Sequence, residues 1–213
     1  MKPKILLSIL LLTAAALAST AQEESTTTDE EPPIDPLNQL TQPGKHHEHL
    51  HRLAGDWDLT IKVWSSPDGE PIESPGTAEA RWILDGRFLW TIYRAELFGQ
   101  PFEAWSIEGY DNQAEQYVGT WRDTQGTYTL VYRGKCKLPP LAEGETHEET
   151  VPDGTYREMT TKLTDPTTLE KLDIRTELRI LDDGDFVQES FIVLSPDVAL
   201  KNLELIGTRR GEE

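Results

Sequence analysis

The sequence predicts an all-β protein in which about ten antiparallel strands close into an up-and-down barrel, preceded by a short helix. Apolar and polar residues alternate along much of the chain after Asp56, as in Trp57, Leu59 and Ile61, and this period is typical of strands with one buried face. Turn residues such as Asp85-Gly86 separate these segments at short intervals. Short turns make each strand the antiparallel neighbour of the one before it.

Alternation and turn signals together define the bounds of the strands. The ten predicted strands lie near residues 57–65, 75–84, 88–98, 102–110, 116–123, 126–135, 155–164, 169–181, 185–194 and 201–209. Closing such a meander into a barrel buries its apolar face and removes both open edges. A two-sheet sandwich is the alternative, and it needs longer crossover connections. The long irregular stretch at 136–154 is acidic and contains proline, which favours an extended surface loop.

A short helix is predicted just before the first strand, over about residues 45–54. Leu50, Leu53 and Ala54 recur there at the spacing of one helical face. A helix in this position could cover one end of the barrel.

The first residues have the features of a secretory signal peptide. Two lysines precede an apolar run at residues 5–12, and small residues follow as far as Ala21, so residues 1–21 are predicted to be removed. The run is too short to span a membrane comfortably. The acidic, Pro- and Thr-rich segment 22–44 is expected to be a disordered leader. Residues 45–213 then form a single domain of a secreted or periplasmic protein, with no membrane anchor after cleavage.

The net charge limits the kinds of partner that are expected, and the cysteine content limits the kinds of disulfide and metal site. The net charge is −18, and a nucleic-acid partner would require a basic face, so no such partner is expected. Cys136 is the only cysteine, which excludes an intrachain disulfide and a cysteine-based zinc site. The oligomeric state is left open by the sequence.

The first and the last predicted strands carry a recognisable pair of motifs. Gly55-Asp56-Trp57 opens the first strand, and Arg209-Arg210 closes the last. This arrangement resembles the lipocalin and calycin signature, in which the face of the Trp ring is covered by a guanidinium group in a cation–π contact.

Longer strings extend this resemblance from about residue 43 to residue 209. The strings are Pro43-Gly44 with His47, Leu53-Ala54-Gly55, Gly76-Thr77-Ala78, Arg81–Leu89, Gly109–Asn112, and Thr120-Trp121 with Asp123. They resemble the bacterial domain-of-unknown-function family 1579. The resemblance implies a lipocalin-like barrel and leaves the function open, since that family has no agreed activity.

Aromatic and small residues in the strands are the candidates for lining an internal cavity. The candidate ligand-binding residues are Trp57, Ala80, Trp82, Trp90, Tyr93, Trp105, Trp121 and Arg81. Alternation turns the first three of these inward, whereas the third strand could present either its Trp90 face or its Tyr93 face. Trp105 with Ile107, and Trp121 with Tyr117, are expected to continue the lining. A buried arginine could hold a carboxylate, but aromatic residues more often fill a core and strand arginines more often face solvent.

Histidines are concentrated in the predicted helix. His47 and His51 are weak candidates for a metal site, because residues at i and i+4 share one helix face. Two imidazoles do not complete such a site, so surface or capping roles are favoured and no metal or cofactor is predicted.

We therefore expect a small hydrophobic or amphipathic ligand inside the barrel. The alternatives are a filled barrel with a structural or interaction role, and an enzyme of unknown reaction that uses the same cavity. The sequence contains no recognisable catalytic motif, which favours a non-enzymatic role.

Overall fold

A computed structural model describes residues 40–137, 156–165 and 168–211. A helix is followed by ten strands in chain order. Their bounds are α1 Lys45–His51, β1 Gly55–Val63, β2 Ile72–Ile83, β3 Phe88–Leu97, β4 Gln100–Asp111, β5 Gln116–Asp123, β6 Leu130–Cys136, β7 Tyr156–Thr164, β8 Lys171–Ile180, β9 Phe186–Ser195 and β10 Val198–Arg209. The predicted signal peptide, residues 22–39 of the leader and most of the predicted loop at 136–154 lie outside the described residues.

The ten strands form one closed antiparallel barrel. Each strand pairs with its neighbours in sequence, and β1 closes the barrel by pairing with β10, with Trp57 opposite Arg209. The predicted all-β meander with a short helix is therefore confirmed. The sandwich alternative is wrong, because the hydrogen-bonded ladder runs without a break around the ring.

Along β1 and β2, every second side chain faces the barrel interior, as the sequence predicts. Trp57, Leu59 and Ile61 are buried, and the register places Trp57 opposite Ala78 on the inner face. Ala80 continues that face and is 2 % exposed. These residues belong to the hydrophobic core cluster of the barrel.

The turn between β2 and β3 has the geometry that Asp85-Gly86 predicts. Both residues have positive φ, 54° for Asp85 and 77° for Gly86. The Arg87 N–H donates to the Leu84 carbonyl across the turn, at 3.3 Å. The two φ values and the hydrogen bond are typical of a type I′ turn, here within a four-residue loop in which Leu84 also has a positive φ, 51°.

Three strands start three or more residues away from their predicted starts. β2 begins at Ile72 and β10 at Val198, each three residues early, because backbone pairing with neighbours continues into these segments. β6 begins at Leu130, four residues late, where its pairing with Trp121 of β5 starts. Pairing between strands extends or shortens each strand independently of its own turn residues.

The helix α1 covers the end of the barrel at which β1 begins. Leu50 is 1 % exposed, and together with Leu53 it belongs to the same core cluster as Trp57. None of the helices in the described part of the chain has the length and apolar character needed to cross a membrane.

Candidate functional site

The barrel interior contains two spaces of very different size. Near α1 there is a space of only 20 Å³, about enough for one water molecule. Toward the opposite end lies a cavity of 250 Å³. We call these regions the closed end and the open cavity. The two share Tyr93, Glu108, Arg157, Leu178 and Gln188, which form the floor of the open cavity.

The closed end is organised around the Trp57 ring. Its indole N–H donates to the Leu53 carbonyl at 3.0 Å, and its edge packs against Phe186 with centroids 4.8 Å apart. The Arg209 guanidinium carbon lies 4.3 Å from the ring centroid, so the predicted cation–π contact is confirmed. The same guanidinium donates to the carbonyls of Ala54 and Arg52, which ties the last strand to the segment after α1.

Gly55 is the residue that lets this arginine approach so closely. Its φ is +130°, a value that side-chain-bearing residues rarely adopt. A Cβ atom at this position would lie 2.7 Å from Nη1 of Arg209. The glycine of the Gly-x-Trp motif is thus required both by the backbone and by the arginine contact.

The imidazole of His47 caps its own helix. Its Nδ1 accepts a hydrogen bond from the Gly44 N–H at 3.1 Å, and the residue is buried. Burial lowers the pKa of His47, and the nearby Arg87 charge acts in the same direction. Only an unprotonated Nδ1 can accept the hydrogen bond from Gly44. The neutral imidazole is therefore the form that suits this position.

The other helix histidines contact aromatic residues of the barrel. His46 stacks on Tyr110 with centroids 4.0 Å apart, and His51 accepts a hydrogen bond from the Trp82 indole N–H at 2.9 Å. His49 lies 3.3 Å from the Tyr117 hydroxyl. Over the described ranges, no three His, Cys, Asp or Glu side chains are grouped so that they could hold a metal ion. His47 and His51, the weak metal candidates, are instead each engaged with a different partner.

The wall of the open cavity is mainly apolar. The aliphatic and phenyl side chains that line it are Val63, Leu97, Phe98, Phe102, Leu130, Met159, Leu163, Ile174, Leu178 and Leu203. Tyr93, Trp121 and Tyr132 add aromatic surface, and the rings of Tyr93 and Trp121 are 5.1 Å apart. An apolar wall with a few polar groups is the usual composition of a small-molecule pocket.

A buried ion pair forms part of the floor. Arg157 is 5 % exposed, and its Nη2 donates to Oε2 of Glu108 at 2.7 Å. Its guanidinium carbon lies 5.1 Å from the centroid of the Tyr117 ring. The Nε of Arg157 is buried and has no hydrogen-bond partner. Pairing with Glu108 offsets the burial of the charge but leaves one donor unused.

Two phenols in the cavity keep their protons over a wide pH range. Burial, with a contribution from the Glu108 charge, raises the pKa of Tyr93 to about 12. Burial also raises the pKa of Tyr132. At neutral pH both hydroxyl groups are therefore available as hydrogen-bond donors.

Near the mouth, Asp123 is held by three donors. It accepts hydrogen bonds from the Trp121 indole N–H at 2.7 Å, the Gln125 N–H at 2.9 Å and the Tyr128 hydroxyl at 3.3 Å. These bonds fix the orientation of the Trp121 ring, which forms part of the wall.

The eight candidate ligand-binding residues fall into three groups. Tyr93 and Trp121 line the open cavity. Trp57 and Ala80 line the small space at the closed end, where Trp82 joins the core and bonds to α1. The remaining three, Trp90, Trp105 and Arg81, lie on the outer face.

The predicted inward orientation of Trp105 and Ile107 is wrong. The register of β4 places Ala104, Ser106 and Glu108 on the inner face, so the residues between them face outward. On the outside the Trp105 ring packs against Trp90, with centroids 5.4 Å apart.

The third strand, for which two faces were possible, turns Tyr93 inward. Arg81 lies outside the barrel and donates to Asp56 at 2.5 Å. It is therefore remote from the open cavity and in no position to hold a ligand there.

Sequence reasoning missed the charged pair at the floor. Glu108 shares a face with Ala104 and Ser106, but Trp105 and Ile107 made the opposite face look like the buried one. Arg157 shares a face with Met159 in β7, a signal that alternation did contain.

Comparison with known proteins places the chain in a family. The profile described as "Protein of unknown function (DUF1579)" matches residues 42–197. No curated protein gives a significant match. A solved structure titled "Crystal Structure of Rv2717c from M. tuberculosis" is similar at a TM-score of 0.51 and 12 % identity, and the match covers 79 % of this chain and 99 % of that one. This structural likeness supports the barrel fold alone.

Proposed function

We propose that this chain, which belongs to the DUF1579 family of proteins of unknown function, binds a small hydrophobic or amphipathic ligand in the open cavity of its barrel. The observation that carries the proposal is the 250 Å³ space behind a mainly apolar wall. The predicted signal peptide at 1–21 supports a further proposal, that binding takes place outside the cytoplasm.

The size of the cavity limits the ligand. A volume of 250 Å³ corresponds to about eight water volumes, so a ligand of roughly ten non-hydrogen atoms fits inside it. Ten strands at barrel tilt enclose more space than side chains readily fill. Small inward residues such as Gly119 and Ser190 leave that space open at this end.

The open cavity also bears on the two alternatives. A structural barrel would fill its interior at both ends, as this one does beside Trp57. Among the described residues, the two charged groups at the floor, Glu108 and Arg157, are paired with each other rather than free to act on a substrate. Both observations support binding as the better proposal.

The test is a titration with 1-octanol, an uncharged probe of the right size, followed by tryptophan emission. Because Trp121 lines the cavity, emission should change saturably as octanol binds. Ser190→Phe should abolish that change by filling the cavity. Val187→Phe places the same ring on the outer face of the same strand and should leave binding intact.

Folding of each variant is checked by its melting temperature, and Ser190→Leu replaces Ser190→Phe if the larger side chain prevents folding. An emission change that persists in a folded Ser190 variant would place octanol elsewhere. The absence of any saturable response in the wild-type protein would refute the proposed function.

A further inference from the structure

We propose that the open cavity selects ligands whose polar end is uncharged and both donates and accepts hydrogen bonds, such as alcohols and primary amides, and discriminates against carboxylates. This inference rests on the proposed function, because it concerns the same cavity. It is carried by the polar groups that a ligand would meet there.

The floor presents a charge pair rather than a free cation. The Arg157 guanidinium is already bonded to Glu108 at 2.7 Å, so an incoming carboxylate would compete with a carboxylate in place. The Glu108 side chain is 22 % exposed and lines the cavity, so it would also repel that anion directly. In an interior of low dielectric constant such repulsion is stronger than in water. A cationic head would have to compete for Glu108 with the Arg157 guanidinium, which already holds that carboxylate at 2.7 Å.

The polar residues of the lining favour an uncharged head. A hydroxyl or amide can donate a hydrogen bond to Glu108, which a carboxylate cannot do. Gln188 and Ser190 also line the cavity, and their amide and hydroxyl groups can both donate to and accept from such a head.

Among the described residues, the rest of the cavity lining adds no positive charge. Asp123 at the mouth is a second carboxylate, so the charged side chains in this described lining are two acids and one base. Tyr93 and Tyr132 contribute neutral hydroxyl groups, and burial, which raises the pKa of both, keeps them neutral to a higher pH than usual. A path lined in this way disfavours an anion from the mouth to the floor.

The experiment compares 1-octanol, octanamide and octanoate by calorimetric titration at pH 8, where octanoate is fully ionised. The three share a chain of eight carbons, so differences in affinity report on the head group. We expect octanol and octanamide to bind at least about tenfold more tightly than octanoate, a difference that one unfavourable charge contact readily produces. Octylammonium is expected to bind less tightly than octanol.

Two variants locate the origin of the discrimination. Glu108→Gln removes the carboxylate at the floor and should reduce the octanol-to-octanoate affinity ratio by about tenfold. Glu96→Gln makes the same change in net charge on the outer face of β3 and should leave the ratio unchanged. If Glu108→Gln does not fold, Asp123→Asn tests the same repulsion at the mouth.

The outcomes separate this inference from the proposed function. Octanoate or octylammonium binding more tightly than octanol would overturn the proposed ligand class and leave binding in the cavity intact. If the octanol-to-octanoate affinity ratio falls as much in Glu96→Gln as in Glu108→Gln, the discrimination arises from the net charge of −18. That result would overturn the proposed role of the floor. Failure of all four probes to bind would refute the proposed function itself.

Discussion

The two ends of this barrel are built by the same strands and the same alternation, yet one end is packed and the other is hollow. Beside α1, Trp57, Leu53 and Phe186 reduce the free space to 20 Å³. The closed end also has small inward residues, Ala78 and Ala80, but those three side chains fill the space beside them. At the far end the inner face carries Gly119 and Ser190, and 250 Å³ remains. The alternation of apolar and polar residues determines which face of a strand lies in the barrel interior. The sizes of the side chains on that face determine whether the interior is filled.

Because of this difference, we expect the closed end to serve mainly stability and the open cavity to serve binding. Burial of large apolar groups is the main source of stability, so the closed end should contribute most to the free energy of unfolding. The open cavity contributes less burial and provides the space that binding needs. Variants at matched positions of the two ends test whether stability depends mainly on the closed end.

The largest effect is expected at Trp57. Trp57→Ala should lower the free energy of unfolding by about 3–5 kcal/mol, because it removes a fully buried ring and leaves a cavity. Trp121→Ala, at the open end, should lower it by only about 1–2 kcal/mol, because that ring already borders empty space. Urea denaturation measures both values. Equal losses would show that the hollow end contributes as much to stability as the packed end.

The ion pair at the floor lies between the two ends and should have the next largest effect. Arg157→Met should lower the free energy of unfolding by about 3 kcal/mol, since it leaves Glu108 without its partner. The double variant with Glu108→Leu should recover most of that loss, because it removes the unpaired charge. A double variant no more stable than Arg157→Met would contradict this account of the pair, as measured by the same denaturation curves.

The closed end could be anticipated from the sequence in some detail. Gly55-Asp56-Trp57 in the first strand and Arg209 in the last match a known pair of motifs, and this resemblance predicted a guanidinium over the ring although the two residues lie far apart in sequence. The fold was predictable because alternation and turn residues such as Asp85-Gly86 are short-range signals. The family was predictable because its motifs lie in these same segments.

The open cavity could not be anticipated in the same way. It depends on which face of β4 turns inward, and Trp105 and Ile107 made the wrong face look buried, whereas pairing with β3 turns Glu108 inward. Its floor joins Glu108 to Arg157, two residues far apart in sequence that meet only when the barrel closes. Cavities arise from the sizes of residues on many strands at once, and no local pattern reports them.

A third comparison concerns two glycines, one at each end of the barrel. Gly55 and Gly99 both have positive φ, so alanine strains the backbone at either position. At Gly55 the new Cβ would also displace Arg209, whereas at Gly99 no atom lies within 4 Å. Gly55→Ala should therefore lower the free energy of unfolding by about 2–3 kcal/mol and Gly99→Ala by about 1 kcal/mol. Similar losses on urea denaturation would mean that the Arg209 contact adds little beyond backbone strain.

The smallest effect is a pH dependence confined to the closed end. Burial lowers the pKa of His47 below its unfolded value of about 6.5. Below that pH the unfolded chain binds a proton at His47 that the folded chain resists, so unfolding is favoured by acid; above it the contribution of the neutral imidazole is fully present. The free energy of unfolding should fall as the pH is lowered from 7.5 to 5.5, and the fall should be smaller in His47→Gln. The proposed octanol site is at the other end of the barrel, so the affinity for octanol should stay constant between pH 7.5 and 6.5. An affinity that declined together with stability over this range would show that the two ends are coupled, and that the packed end controls the hollow one.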